Sequence, residues 1–337
     1  MLPASDSFQK TKDGKVIRVM TQQEPAALAR SSVHSIPEIY AAKRAKGQPV
    51  VSIELFPPKT PQSEESLFER ALPRLAAAAP DFFSVTYGAG GGTRDKTLEV
   101  VDHVQSHHGI TAMAHLTCIG STREDIRRYL QDAARLGIRN ILALRGDPPR
   151  GQPDFAKPDD GFDYSYQLID FVKTQGDFSI GVAGFPECHV ACTEGRHVDW
   201  RRLRDKLEHG AEFVLTQLFF DNDTYFEFHD YMTNTLGVSV PVTPGILPIV
   251  SAAQVKRFTT ICGATLPAEV LSRLDAFGDD AEAVQAFGID FATQQCEALL
   301  SGGAPGLHLY SLNRSPACLA ILRNLGLAAE SNDASPL

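Results

Sequence analysis

The chain has 337 residues, 43% of them hydrophobic, and a formal net charge of −9. That length suits two average domains or one large α/β barrel, with apolar content ample for a large core. The acidic balance leaves no basic stripe to neutralise phosphates and argues against a nucleic-acid partner, and no stretch has the length of a membrane span.

The N-terminus is polar and of mixed charge, without the apolar core of a signal peptide. Residues 1 to about 31 are expected to form a loosely docked arm. Ser35-Ile36-Pro37-Glu38 carries a capping serine, an early proline and a first-turn acid, which predicts a helix running to about Ala45 and stopping near Gly47.

From Val50 onward, short β-branched and aromatic runs alternate with amphipathic stretches. Strands are predicted at 50–56, 82–87, 111–117, 139–144, 178–184, 212–218, 241–246 and 306–311. Helices are predicted at 63–79, 95–107, 122–136, 165–175, 199–209, 222–236, 251–261 and 314–325. Thr122 and Asp125 mark the start of the third of these as a capping box. Eight strands alternating with helices predict a TIM (β/α)8 barrel, with the N-terminal helix as an extension and the segment 263–300 inserted before the eighth strand. The expected divisions are an arm and helix over 1–46, a barrel over 47–327 and a tail over 328–337. A doubly wound open sheet is the alternative, but no GxGxxG follows the first strand.

Barrel chemistry sits at the C-terminal ends of strands. Glu54 stands in Val50-Val51-Ser52-Ile53-Glu54-Leu55-Phe56-Pro57-Pro58, an apolar run stopped by two prolines. Apolar surroundings disfavour its charged form, so a raised pKa and a general-acid role are expected. A structural acid bonded to backbone amides or an arginine is the other reading. Polar residues follow the other strands too: Thr86 with Tyr87, His115 with Thr117, Arg145 with Asp147, Glu187 with His189, Gln217, and Asn313 with Arg314. Such a ring suits a large ligand spanning the mouth.

The glycine run 88–92, followed by Thr93 and Arg94, permits close approach of backbone to a phosphate, although it lacks the GK[ST] of a Walker loop. In Arg145-Gly146-Asp147-Pro148-Pro149, Arg145 could meet phosphate and Asp147 could hold a cationic intermediate, or the two could form a simple salt-bridged turn. Tyr164 offers a stacking face. Lys206 offers a cation, though its helix neighbours make a solvated surface lysine the default. Six cysteines, at 118, 188, 192, 262, 296 and 318, are too sparse for a disulfide scaffold. Cys188-His189-Val190-Ala191-Cys192 suggests a metal site, but no second pair lies at zinc-finger distance, so no metal is expected.

Together these segments resemble the methylenetetrahydrofolate reductases, from about Val50 to Leu325. The carriers are 52–58 (SIELFPP), 85–89 (VTYGA), 115–118 (HLTC), 143–147 (ALRGD), 216–221 (TQLFFD), 244–248 (PGILP) and 310–314 (YSLNR). Sparse cysteines and an N-terminus without a signal-peptide core point to a reduced cytoplasmic protein. The resemblance implies a flavoprotein with FAD at the barrel mouth, and a homo-oligomer is expected. NADH or NADPH would reduce the flavin and leave, and methylenetetrahydrofolate would then be reduced in its place. By matched position, Glu54 is the general acid and Asp147 the acid that stabilises the iminium. Gln217 binds the pterin, Phe258 stacks on nicotinamide or folate, and Gln254 and Arg314 lie on the substrate side. Thr86, His115, Arg145, Asp147, Tyr164, Ser165, Phe185, His189, Asp199 and Lys206 line the flavin. Phe185 stands where the family often has Tyr, and the loop from Cys188 to His197 departs from the family's form. A flavin-free reductase, a barrel lyase using Lys206, and a non-catalytic folate- or flavin-binding regulator are the competing readings.

Overall fold

The computed structural model describes residues 8–10, 16–18, 33–87, 94–147 and 158–329. Eight parallel strands close into a barrel: β1 (Val50–Leu55), β2 (Phe82–Val85), β3 (Thr111–Thr117), β4 (Asn140–Leu144), β5 (Ser179–Gly184), β6 (Phe213–Leu218), β7 (Val242–Ile246) and β8 (Gly306–Tyr310). Each pairs with its neighbour in chain order, and β8 closes on β1 with His308 opposite Ser52 and Tyr310 opposite Glu54. The (β/α)8 expectation is met. Within the arm, Phe8–Lys10 and Val16–Arg18 pair antiparallel, a strand pair the polar sequence did not suggest.

Side-chain alternation divides each strand between two environments. On β1, Val51, Ile53 and Leu55 join the large cluster under the outer helices, whereas Val50 belongs to a separate cluster with Phe82, Met113, Leu142, Phe213 and Leu215. This second cluster is the barrel floor. The helix Ile36–Ala45 plugs it with Ile36 and Tyr40, both buried. Ser35 and Glu38 form the expected capping box. Three polar contacts fasten the plug: Ile36 N donates to Asn140 Oδ1 at 2.9 Å, Tyr40 Oη lies 2.5 Å from Thr243 Oγ1, and Lys43 pairs with Asp81 at 2.9 Å. The mouth at the other end is left for chemistry.

The predicted helix over 63–79 is three pieces: Pro61–Glu65, a π-turn over Ser66–Ala71, and Leu72–Ala77. Pro73 has no N–H to donate to Glu69, and Leu72 N–H reaches back to Leu67, so the register widens where the proline would clash. The insertion before β8 folds as the helices Ala268–Phe277 and Ala281–Ser301. Their Val270, Leu274 and Val284 pack with Leu218, Phe220, Leu247, Ile249 and Val255 as a third cluster beyond the ends of β6 and β7. Gly245 has no room for a Cβ, which would lie 2.2 Å from Thr216 O and 2.8 Å from the Tyr310 ring. Its missing side chain lets β6, β7 and β8 converge there.

Candidate active site

Glu54 points into the barrel near the C-terminal end of β1 and is 7% exposed. Its surroundings differ from the apolar pocket expected. Its Oε2 lies 3.7 Å from His115 Nε2 and 3.6 Å from His308 Nε2. Each imidazole is held by a buried serine: Ser84 Oγ lies 2.5 Å from His115 Nε2, and Ser52 Oγ lies 2.8 Å from His308 Nδ1. Alternation explains the difference. The apolar residues of β1 that flank Glu54 face the helices, while its inward neighbours come from β2, β3 and β8. Burial pushes His115 down to about 4, against the opposing pull of Glu54, with His308 adding to the depression. That ring is neutral at neutral pH.

The loop after β8 clasps the end of β1. Ser311 Oγ donates to Glu54 O at 2.6 Å, and the Asn313 amide exchanges two 2.8 Å bonds with the backbone of Phe56. Leu312 and Asn313 both hold positive φ, 50° and 58°, so this clasp is a strained turn. Tyr310 Oη donates to Thr216 O at 2.7 Å, and burial followed by Glu54 pushes its hydroxyl well above the usual range. It is a fixed neutral ring beside the Glu54 carboxyl.

Around the rim, Thr86 follows β2 and its N–H bonds Leu55 O at 2.9 Å. Residues 88–93 of the glycine loop lie outside the described residues. Arg94, which begins the next helix, is committed to Asp125 and stands over the Tyr129 ring. After β4, Arg145 and Asp147 are both exposed, separated by Gly146 at φ 82°. A Cβ on Gly146 would lie 2.6 Å from Ile119 and 2.9 Å from Thr117, so only glycine fits. Arg145 does not close on Asp147 as a local salt-bridged turn; its Nε donates to Asp163 O at 3.2 Å. Asp163 is followed by Tyr164, which is 56% exposed and whose ring stacks on Tyr166, and by Ser165, which is buried.

Past β5, Trp200 Nε1 donates to Phe185 O, and the Phe185 ring meets His189 edge-on with centroids 4.5 Å apart. His189 N–H is held by Asp199 Oδ2 at 3.0 Å. Lys206 is not a solvated surface lysine. It is partly buried, with Nζ 3.5 Å from Ala183 O near the C-terminal end of β5. Burial lowers its ammonium, with Asp199 opposing. Glu187 accepts from Thr265 N–H at 3.0 Å, tying this loop to the insertion.

On the facing wall, Gln217 is inward and half-buried, its Oε1 accepting from Leu218 N–H. Phe258 lies on the helix Ala252–Cys262, packed on the third cluster, which Tyr310 and Leu312 also reach. Gln254 is half-buried one turn earlier, and Arg314 is exposed past the clasp.

Sequence reasoning missed His308, Ser52 and Ser84. The signal was the alternation in Gly306-Leu307-His308-Leu309-Tyr310, which turns His308 and Tyr310 inward together. Among the described residues no group of three or more histidine, cysteine or acidic side chains could hold a metal ion. No helix among them is long and apolar enough to cross a membrane. Arg145, the exposed Tyr164 and the half-buried Lys206 are the groups that could hold a ligand joining flat rings to phosphates.

A family model described as methylenetetrahydrofolate reductase matches residues 39–326. Methylenetetrahydrofolate reductase (NADH) 1 of Arabidopsis thaliana is 40% identical over 296 residues, covering 85% of this chain and 50% of that protein. The 5,10-methylenetetrahydrofolate reductase of Escherichia coli K12 is 36% identical over 282 residues, covering 84% of this chain and 92% of the bacterial protein. The chain thus spans about half the length of the plant relatives and nearly all of the bacterial one. A solved structure from Clostridium thermocellum, of a protein described as binding two copies of 5-methyl-5,6,7,8-tetrahydrofolic acid, shares the fold. Its TM-score is 0.56 at 14% identity, covering 85% of this chain and 97% of that one.

Proposed function

The chain belongs to the methylenetetrahydrofolate reductase family, and from that premise we propose that it reduces 5,10-methylenetetrahydrofolate to 5-methyltetrahydrofolate with FAD as its resident cofactor. NADH or NADPH is the donor, and the two substrates use the mouth in turn, in a ping-pong order. The observation that carries this reading is the buried Glu54 carboxyl set between two imidazoles at the inner wall, beneath a rim of cations and rings.

FAD, when bound, relays two electrons from the nicotinamide to the folate. Everything else falls to the side chains. Arg145 and Lys206 meet the phosphates, while Tyr164 and Phe185 offer rings. Thr86, His115, Ser165, His189 and Asp199 complete the lining. Glu54 gives a proton to the folate amine nitrogen whose C–N bond opens. Ser52 Oγ also lies 3.3 Å from Leu307 O and can donate there. His308, anchored through Nδ1 to Ser52, turns its Nε2 toward the Glu54 carboxyl. Asp147 offsets the positive charge that develops on the opened folate. Gln217 bonds the pterin, Phe258 stacks on whichever ring occupies the site, and Gln254 and Arg314 hold the remainder of the substrate. The product would supply methyl groups for methionine synthesis from a cytoplasmic homo-oligomer.

The test is aerobic and anaerobic oxidation of each nicotinamide by purified protein, with menadione or methylenetetrahydrofolate as acceptor, alongside assay of FAD released on heating. A yellow protein that turns over both acceptors supports the reading. A colourless protein that reduces folate without FAD overturns the flavin assignment. Flavin binding without turnover of either acceptor overturns the enzyme assignment.

A further inference from the structure

The loop between β5 and the helix Arg196–Glu208 carries two free cysteines that the proposed reaction does not use. Cys188 and Cys192 flank a tight turn closed by Cys192 N–H donating to His189 O at 2.8 Å. Cys188 holds φ 83°, a conformation rare for a side-chain-bearing residue, and its Sγ lies 3.6 Å from Cys192 O. Cys192 Sγ is partly exposed and receives Arg202 Nη1 at 3.4 Å. Arg202 is shared with Glu194, whose carboxylate it grips at 2.7 and 2.9 Å. The two sulfurs are therefore unlike. Cys192 has a cation at its side, whereas burial, then Asp199 and Cys192, push the Cys188 thiol up to about 11. Cys118, Cys296 and Cys318 are buried, and Cys262 is pushed up to about 11 by burial, Asp147 and Glu54.

We propose that Cys188 and Cys192 form a peroxide-oxidisable dithiol, with Cys192 as the attacking sulfur and Cys188 as the resolving one. The Cys192 thiolate attacks the O–O bond of a hydroperoxide, becoming a sulfenic acid and releasing alkoxide, or hydroxide from hydrogen peroxide. The Cys188 sulfur then attacks Cys192 Sγ and expels the hydroxyl, which takes up the Cys188 proton and leaves as water. Two thiols are oxidised to one disulfide, and the peroxide is reduced to an alcohol and water. A reducing dithiol reverses the bond by exchange. The turn keeps the partners within one loop, and Arg202 stands beside the sulfur where the first step occurs.

The experiment treats the reduced full chain with a few equivalents of hydrogen peroxide and maps cysteine modification by peptide mass. The 188–192 peptide is expected to lose two hydrogens before any other cysteine changes, and to regain them with dithiothreitol. Cys188→Ser should stop at a sulfenic acid on Cys192 that dimedone labels. Arg202→Gln should slow oxidation about fivefold, because the guanidinium beside Cys192 Sγ is lost. The proposal is overturned if a folded Cys188→Ser protein, checked by circular dichroism, takes up dimedone elsewhere and not at Cys192. Disulfide-linked dimers on a non-reducing gel, in place of the internal bond, overturn it equally.

Discussion

The Glu54 carboxyl and the His308 imidazole face each other at 3.6 Å, and the far nitrogen of that imidazole is anchored 2.8 Å from Ser52 Oγ on the strand that carries Glu54. Register explains the meeting: β8 pairs with β1 so that His308 sits opposite Ser52 and Tyr310 opposite Glu54. A ring fixed at one nitrogen presents the other in a single direction. The carboxyl therefore has a set partner before any substrate arrives, a form of preorganisation that makes its replacement a sharp test.

Glu54→Gln keeps size and hydrogen bonding but cannot deliver a proton. Oxidation of NADH or NADPH with menadione should stay nearly unchanged, while reduction of methylenetetrahydrofolate falls at least about a hundredfold. Steady-state rates with the two acceptors check this. Normal folate turnover would return Glu54 to a structural role.

Asp147→Asn separates the half-reactions in another way. Asp147 is exposed at the end of β4, held in place by the tight passage through Gly146. If its charge offsets a developing cation, folate reduction should slow roughly a hundredfold, about 3 kcal/mol, with a much smaller effect on flavin reduction by nicotinamide. Stopped-flow measurement of each half-reaction decides it. Equal slowing would indicate binding or folding.

The barrel was legible because its strands are short apolar runs bounded by clear helix patterns. All eight predicted strands lie within two residues of those found. The places of Glu54, Arg145 and Asp147 at or just past strand ends were legible because each directly follows or closes a short apolar run. What surrounds Glu54 was not, since a run such as VVSIEL looks uniformly apolar until alternation sends Val51, Ile53 and Leu55 outward and Ser52 and Glu54 inward. His308 comes from the far end of the chain, and only barrel closure places it there. The half-buried setting of Lys206 was not legible, because a helix pattern shows which face is buried without showing that a long side chain can reach a strand carbonyl.

At the opposite end, Tyr40 should matter for stability alone. Its hydroxyl is the 2.5 Å partner of the fully buried Thr243 hydroxyl. Tyr40→Phe leaves Thr243 without that partner and should cost about 1–3 kcal/mol of unfolding free energy. Denaturant midpoints measure the loss. Turnover per folded molecule should stay unchanged; a changed rate would mean that the floor communicates with the mouth.

His115 makes the pH dependence of stability testable, and the sign follows from its burial. Its folded value is pushed from 6.5 down to about 4, chiefly because the buried ring cannot be solvated as a cation. Between those values the unfolded chain takes up a proton at this position and the folded chain does not. Stability contributed here is present above about pH 6.5 and is lost as pH falls toward 4. His103, also pushed down to about 4 by burial and by His107 and His108, adds loss in the same window. The melting temperature should therefore fall steadily from pH 7 to pH 4.5. His115→Asn removes one titrating ring, so the variant, though less stable at pH 7 through its altered contact with Ser84, should lose less of its melting temperature over that interval. Parallel curves for the variant and the parent protein would show that His115 is protonated as readily in the folded barrel as in the unfolded chain, and would remove the basis for treating it as a neutral partner of Glu54.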